Sequence, residues 1–74
     1  MSRLPNVSAK KLVQILKRAG FVEDSQRGSH LYLWHPEKSL ITSVPMHPGD
    51  VKRSLMKRIL KQAGLTEDQF RELL

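Results

Sequence analysis

Three histidines, His30, His35 and His47, are the side chains of this 74-residue chain that could support acid–base or metal chemistry. The absence of cysteine excludes a thiolate zinc site. His30 and His35 are five positions apart in a segment that reads as a strand, so they point to opposite faces. His47 lies beyond Pro45, and no carboxylate at a suitable spacing completes a ligand set. The pattern predicts no metal site and no cofactor.

Nucleophilic catalysis by a side chain is also poorly supported. Ser29 stands next to His30, but neighbouring strand residues face opposite ways and make a poor nucleophile–base pair. The sequence has no glycine-rich phosphate loop and no paired-carboxylate arrangement. If the chain is an enzyme, one imidazole therefore carries its chemistry.

The charge of the chain favours a polyanionic partner. Thirteen basic residues against seven acidic ones give a net charge of +6, and neutralising phosphates with such a surface releases counterions. The basic residues concentrate in residues 1–22 and 50–64, and both segments read largely as helix. The alternative is that the charge serves solubility alone.

The length fits one small domain, residues 1–74, with a core at 8–65 and a short C-terminal helix at 66–74. No apolar run approaches the roughly 20 residues that span a bilayer, and MSRLPNVSAK lacks the apolar core of a signal peptide. Without cysteines, a small domain is more typical of reducing compartments. We expect a cytoplasmic protein without membrane contact.

The first element that must position these residues is a helix over about 9–19. Apolar residues recur there at helical spacing, Ser8 is a suitable N-cap, and Gly20 supplies the left-handed residue that closes a helix.

A second helix ends in a similar phrase, because ILKRAGF at 15–21 is echoed by ILKQAGL at 59–65. This predicts a helix end at Ala63. Its start is open, because Asp50 and Ser54 are both possible N-caps. Its predicted inward residues are Leu55, Ile59, Leu60 and Ala63, with Met56 at the margin.

Between the helices the hydrophobic period changes from 3.6 to 2, which predicts three strands. The strands fall at 21–24, 29–35 and 40–44, joined by turns at 25–28 and 36–39. A last short helix begins at Thr66, where Gln69 completes a capping box. The order predicts an α+β fold: a helix, a three-stranded antiparallel sheet, a helix and a short C-terminal helix.

The middle strand has two distinct faces. Leu31 and Leu33 are expected beneath the helices, which leaves His30, Tyr32 and Trp34 in a row on the uncovered face. Aromatic side chains beside a histidine on a basic domain suit the stacking of nucleobases. Shielding of a thin sheet, or contact with a partner protein, explains the pattern equally well.

Three motifs in order resemble the HicA-type toxins, the YcfA-like group of toxin–antitoxin systems. They are Gly28-Ser29-His30, then VPMHPG at 44–49, then ILKQAGL at 59–65, and the helix end RAGF at 18–21 fits as well. The resemblance covers about residues 8–65. It departs at the second helix, where Ser54-Leu55 replace a small residue and threonine, and at Leu31, where many members carry a polar residue.

The resemblance implies a double-stranded-RNA-binding-domain-like fold and a ribosome-independent mRNA endoribonuclease that works without a metal and halts translation. It also implies a HicB-type antitoxin that binds and blocks the toxin. The catalytic histidine falls on His30, which we expect to act as general base or acid and to leave a 2′,3′-cyclic phosphate. His47 is interpreted as structural, since it sits between two prolines.

The RNA-binding residues are assigned from position. Arg27 and Ser29 are close to His30 in the sequence, and Tyr32 and Trp34 follow His30 along the strand. Lys52 and Arg53 are suggested by the way in which this fold class binds the phosphates of A-form RNA. The substrate is single-stranded or structured mRNA. The alternatives are a non-catalytic RNA-binding module of the same fold and a purely protein-binding role.

Overall fold

A computed structural model describes residues 4–74, and Arg3 with the first residues of the predicted domain lies outside them. The elements run in chain order α1 (Ala9–Arg18), β1 (Val22–Arg27), β2 (His30–His35), β3 (Leu40–Pro45), α2 (Arg53–Gln62) and α3 (Glu67–Leu73). The helix–three strands–helix–helix order confirms the predicted α+β class and agrees with the double-stranded-RNA-binding-domain-like fold.

The three strands form one antiparallel sheet in the order β1-β2-β3. Its covered face supplies Leu31, Leu33 and Val44 to the hydrophobic core, where they pack with buried residues of both long helices. The sequence assigned Leu31 and Leu33 to this face, and the structure confirms it. Thr42 is also buried here, and its hydroxyl donates to Oε1 of Gln62 at 3.1 Å. The hydrogen bond ties β3 to the end of α2.

Both long helices end in the same hydrogen-bond pattern, as the echoed phrase predicted. After α1, the Phe21 N–H donates to the Leu16 carbonyl at 3.0 Å. After α2, the Leu65 N–H donates to the Leu60 carbonyl at 2.9 Å. The residue before each donor is a left-handed glycine, Gly20 with φ 104° and Gly64 with φ 69°. At the other end of α1, the Ser8 hydroxyl accepts from the Lys11 N–H, which confirms the N-cap.

The first hairpin differs from the prediction. β1 continues to Arg27, which pairs with His30, so the turn is Gly28-Ser29 rather than residues 25–28. A register irregularity between Glu23 and Ser25 leaves an extra residue in β1. That residue interrupts the alternation that a strand pattern needs, which explains why the sequence indicated too short a strand.

The start of α2 is also different from both candidates. Its N-cap is Lys52, not Asp50 or Ser54, and no side chain within residues 4–74 caps its first amides. Asp50 instead forms an isolated antiparallel bridge with Ser8, and the Val51 N–H donates to the Val7 carbonyl at 2.9 Å. These backbone contacts hold the chain extended up to Lys52.

The inner face of α2 needs one correction. Met56, predicted at the margin, is 0% exposed, whereas Leu55 is only partly buried. The predicted inward positions Ile59, Leu60 and Ala63 are all buried. The core-facing stripe is therefore turned by about one residue at the first turn of the helix.

The short helix α3 begins as predicted. Thr66 and Gln69 exchange both hydrogen bonds of a capping box, and Phe70 is fully buried against the core. Within residues 4–74, no helix combines the length and apolar character needed to cross a membrane.

Candidate functional site

His30 is the first residue of β2 and follows directly on the Gly28-Ser29 turn. Its cross-strand neighbours are Arg27 on β1 and Pro45 on β3. The side chain is exposed, while the adjacent Leu31 is buried on the covered face. Among the described residues, nothing forms a hydrogen bond or ion pair with the His30 imidazole. Both ring nitrogens are thus open to a ligand.

His30 lines a cleft of about 500 Å³ that lies between β3, the loop after it and α2. This volume is within the range of about 300–1,000 Å³ found for small-molecule sites. Seven side chains of the lining have polar or ionisable ends: His30, Ser43, His47, Asp50, Lys52, Arg58 and Gln62. Two fixed cations thus face one carboxylate, and none of the three is in an ion pair within residues 4–74.

The N-terminus of α2 adds to the positive character of this cleft. Lys52, the N-cap, and Leu55, the third residue of the helix, both line it. No acidic residue lies in the first turn, and no side chain in the described part of the chain caps it. The first amides of a helix carry a partial positive charge that favours anions. The cationic side chains of the cleft and the helix dipole of α2 therefore both favour the binding of an anion.

His47 shares the cleft with His30 although the two are 17 positions apart in the sequence. The connection is a backbone hydrogen bond of 2.6 Å from the Met46 N–H to the Ser29 carbonyl. Each partner immediately precedes one of the two histidines. The His47 side chain is exposed and has no hydrogen-bond partner among the described residues. The structural role that the sequence favoured has no side-chain hydrogen bond or burial to support it.

A second depression, a groove of about 520 Å³, lies on the open face of the sheet. Its lining residues are Asp24, Ser25, Arg27, Tyr32, Trp34 and Ile41. The Arg27 guanidinium carbon is 5.7 Å from the centre of the Tyr32 ring, a cation–π distance. Trp34 is 38% exposed and Ile41 65%. The groove adjoins the cleft, because Tyr32 is the cross-strand neighbour of Ser43, which lines the cleft.

The structure therefore separates the predicted site residues into groups. His30 and Lys52 share the cleft, whereas Arg27, Tyr32 and Trp34 share the groove. Ser29 lies in the turn and contributes its carbonyl to the Met46 hydrogen bond. These assignments remain predictions.

Arg53 lies apart from both depressions. Its Nε donates to the Leu4 carbonyl at 2.9 Å, and it lines neither the cleft nor the groove. The contact with Leu4 favours a structural role over the predicted contact with RNA.

His35 occupies the covered face and is 7% exposed. Its Nδ1 accepts from the Lys38 N–H at 3.2 Å, which ties the ring to the turn that follows β2. The ring meets Phe21 edge-on at 5.3 Å between centroids. Within residues 4–74, histidine and carboxylate side chains form no group of three or more close enough to hold a metal ion.

Sequence reasoning missed Arg58 and the placement of His47. A signal for Arg58 was available, since Lys52, Leu55, Arg58 and Gln62 recur at helical spacing and line one side of α2. No comparable periodicity exists for His47, because it lies in a loop whose path is set by contacts with Ser29 and Val7.

Comparison with known proteins gives one family. The protein-family model described as "HicA toxin of bacterial toxin-antitoxin" matches residues 9–65 of this chain. A search of curated proteins finds no match. The matched segment spans α1 to the end of α2 and includes the whole lining of the cleft.

Proposed function

The chain belongs to the HicA toxin family of bacterial toxin–antitoxin systems, and on this premise we propose that it is an mRNA endoribonuclease that needs neither a metal nor the ribosome. One observation carries the proposal. The imidazole of His30 is exposed, without a hydrogen-bond or ion-pair partner among residues 4–74, in a cleft that also holds Lys52 and Arg58. An acid–base group beside fixed positive charges suits cleavage of an RNA phosphodiester by its own 2′-hydroxyl.

The nucleophile of this reaction belongs to the RNA. The 2′-hydroxyl oxygen attacks the adjacent phosphorus, the bond to the 5′-oxygen breaks, and a 2′,3′-cyclic phosphate and a 5′-hydroxyl result. His30 either accepts the proton of the 2′-hydroxyl or donates a proton to the leaving 5′-oxygen. Imidazole suits both tasks because it ordinarily titrates between pH 5 and 8.

The cations of the cleft hold the scissile phosphate. Lys52 stands at the N-cap of α2, Arg58 follows about 1.7 turns later, and both line the cleft. Their positive charge and the uncapped helix terminus stabilise the phosphorane, whose negative charge exceeds that of the starting diester.

The groove on the open face binds the neighbouring nucleotide. Trp34 and Tyr32 offer ring surfaces to a base, and Arg27 lies over Tyr32 at cation–π distance. Because the groove adjoins the cleft, a base stacked there leaves its phosphate within the reach of His30. Ser29 supports this geometry through the turn that begins β2. This binding mode needs an unpaired base, which favours a single-stranded segment of the message.

The partner of a toxin in this family is an antitoxin, and a HicB-type protein would block this chain by covering the cleft. Occupying the cleft would exclude the scissile phosphate from His30 without altering the fold. Acidic side chains on the antitoxin would match Lys52 and Arg58.

The proposal is tested by the ends that the reaction leaves. Purified protein is incubated with a defined RNA and a metal chelator, without ribosomes. We expect 2′,3′-cyclic phosphate and 5′-hydroxyl termini, and no cleavage at a site whose 2′-hydroxyl is replaced by hydrogen. In cells, His30→Ala should abolish growth arrest while antitoxin binding persists. Binding without cleavage would instead identify a non-catalytic RNA-binding module.

A further inference from the structure

We propose that His47 is a second catalytic residue, which performs the proton transfer that His30 does not. The inference rests on the proposed ribonuclease function and deepens it. One histidine removes the proton of the 2′-hydroxyl, and the other protonates the 5′-oxygen. The sequence predicted a single working imidazole, whereas the cleft contains two.

The first support is the way in which the fold brings the two residues together. The Met46 N–H donates to the Ser29 carbonyl at 2.6 Å, so the residue before His47 is fixed to the residue before His30. Pro45, next to this bond, is the cross-strand neighbour of His30. The loop that carries His47 is thus anchored to the His30 end of β2.

The second support is that the His47 ring has none of the contacts that mark a structural histidine in the described part of the chain. His35, the structural histidine of this chain, is buried, accepts a backbone hydrogen bond and contacts Phe21. The His47 ring is exposed and has no hydrogen-bond partner within residues 4–74. Pro48 fixes its own φ and restricts the residue before it, which limits the freedom of His47 without using its imidazole. The backbone of His47 is thus restricted, while its imidazole is left open to a ligand.

The third support is the chemistry of the cleft. Cleavage moves two protons, one from the 2′-hydroxyl to a base and one from an acid to the 5′-oxygen. As the bond from the 2′-oxygen to phosphorus forms, the bond to the 5′-oxygen breaks. The base ends as imidazolium and the acid as neutral imidazole, and exchange with water restores both. The one carboxyl group of the described lining belongs to Asp50. Its negative charge would repel the scissile phosphate, so the two histidines are better suited to the proton transfers.

The experiment uses two substrates that differ in one atom. In the second RNA, sulfur replaces the 5′-oxygen at the cleaved link, and a thiolate leaves without protonation. Loss of the general acid is therefore rescued by the sulfur substrate, and loss of the general base is not. His30→Gln and His47→Gln are compared with the wild type on both RNAs. The ratio of the two rates does not depend on the fraction of folded protein, which excludes a purely structural effect.

We expect His47→Gln to cleave ordinary RNA about 10²–10⁴-fold more slowly. We also expect the sulfur substrate to restore the rate of only one of the two variants. The inference is overturned if His47→Gln keeps the wild-type rate, or if the sulfur substrate rescues both variants or neither. Loss of activity in His30→Gln alone would leave the proposed function standing. Absence of cyclic phosphate products from the wild type would contradict the proposed ribonuclease function itself.

Discussion

The cleft charges allow a quantitative prediction about RNA binding. Lys52 and Arg58 line the cleft and have no ion-pair partner among the described residues. Each phosphate contact that neutralises one charge on single-stranded nucleic acid changes the salt dependence of log K by about 0.7. Replacing both residues by glutamine should therefore make the slope of log K against log salt shallower by about 1.4.

The matched control lies on the same helix. Lys57 and Lys61 are exposed residues of α2 that line a different, shallow depression beside Leu65. Lys57→Gln with Lys61→Gln removes the same two charges from the chain but none from the cleft. If only the net charge of the protein matters, both double variants will lose equal slope.

The assay is fluorescence anisotropy of a labelled 2′-O-methyl RNA titrated at several salt concentrations. This RNA has no free 2′-hydroxyl, so cleavage does not disturb the equilibrium. We expect a shallower slope for Lys52→Gln with Arg58→Gln and a wild-type slope for the control. Equal slopes for the wild type and the cleft variant would refute the reasoning, because the phosphates would then be held elsewhere.

Three further predictions follow from packing and from the groove. Gly20→Ala should cost more stability than Gly64→Ala in thermal unfolding. Both substitutions add about 1–2 kcal/mol of backbone strain at positive φ. A Cβ at Gly20 would lie 2.6 Å from Nε2 of the buried His35, whereas a Cβ at Gly64 would meet the flexible Cδ1 methyl of Leu40 at 3.0 Å. Equal losses of stability in the two variants would contradict the close approach at Gly20. Phe70→Ala should destabilise the protein by about 3–5 kcal/mol in urea unfolding, since the ring is fully buried; a loss near zero would mean that α3 is not docked. Trp34→Ala should weaken binding of 2′-O-methyl RNA by about 1–3 kcal/mol through lost stacking; unchanged RNA affinity with weaker antitoxin binding would assign this surface to the antitoxin.

Much of the fold was predictable because its signals are local. The Ser8 cap, the two glycine-terminated helix ends and the Thr66 capping box each depend on residues within a few positions of one another. Alternation along β2 correctly separated Leu31 and Leu33 from the exposed His30.

The errors arose where distant backbone contacts decide the structure. The bridge between Ser8 and Asp50 delays the start of α2, and no pattern near Asp50 reveals it. The irregularity after Glu23 hides the second half of β1 in the same way.

The candidate site was only partly predictable for the same reason. The position of His30 on the open face followed from strand alternation. The cleft around it forms from β3, a loop and α2, so its second histidine emerges only when these elements pack together, whereas the helical spacing of α2 carried a signal for Arg58. The Met46–Ser29 hydrogen bond joins segments 17 positions apart, and such a contact has no signature in sequence spacing.

The central claim is that the His30 imidazole transfers a proton during RNA cleavage. Its most direct test is the cleavage rate of His30→Gln relative to the wild type, under chelation and at saturating RNA. We predict a rate about 10²–10⁴-fold lower, with unchanged thermal stability and RNA affinity. A variant that cleaves as fast as the wild type would contradict the account.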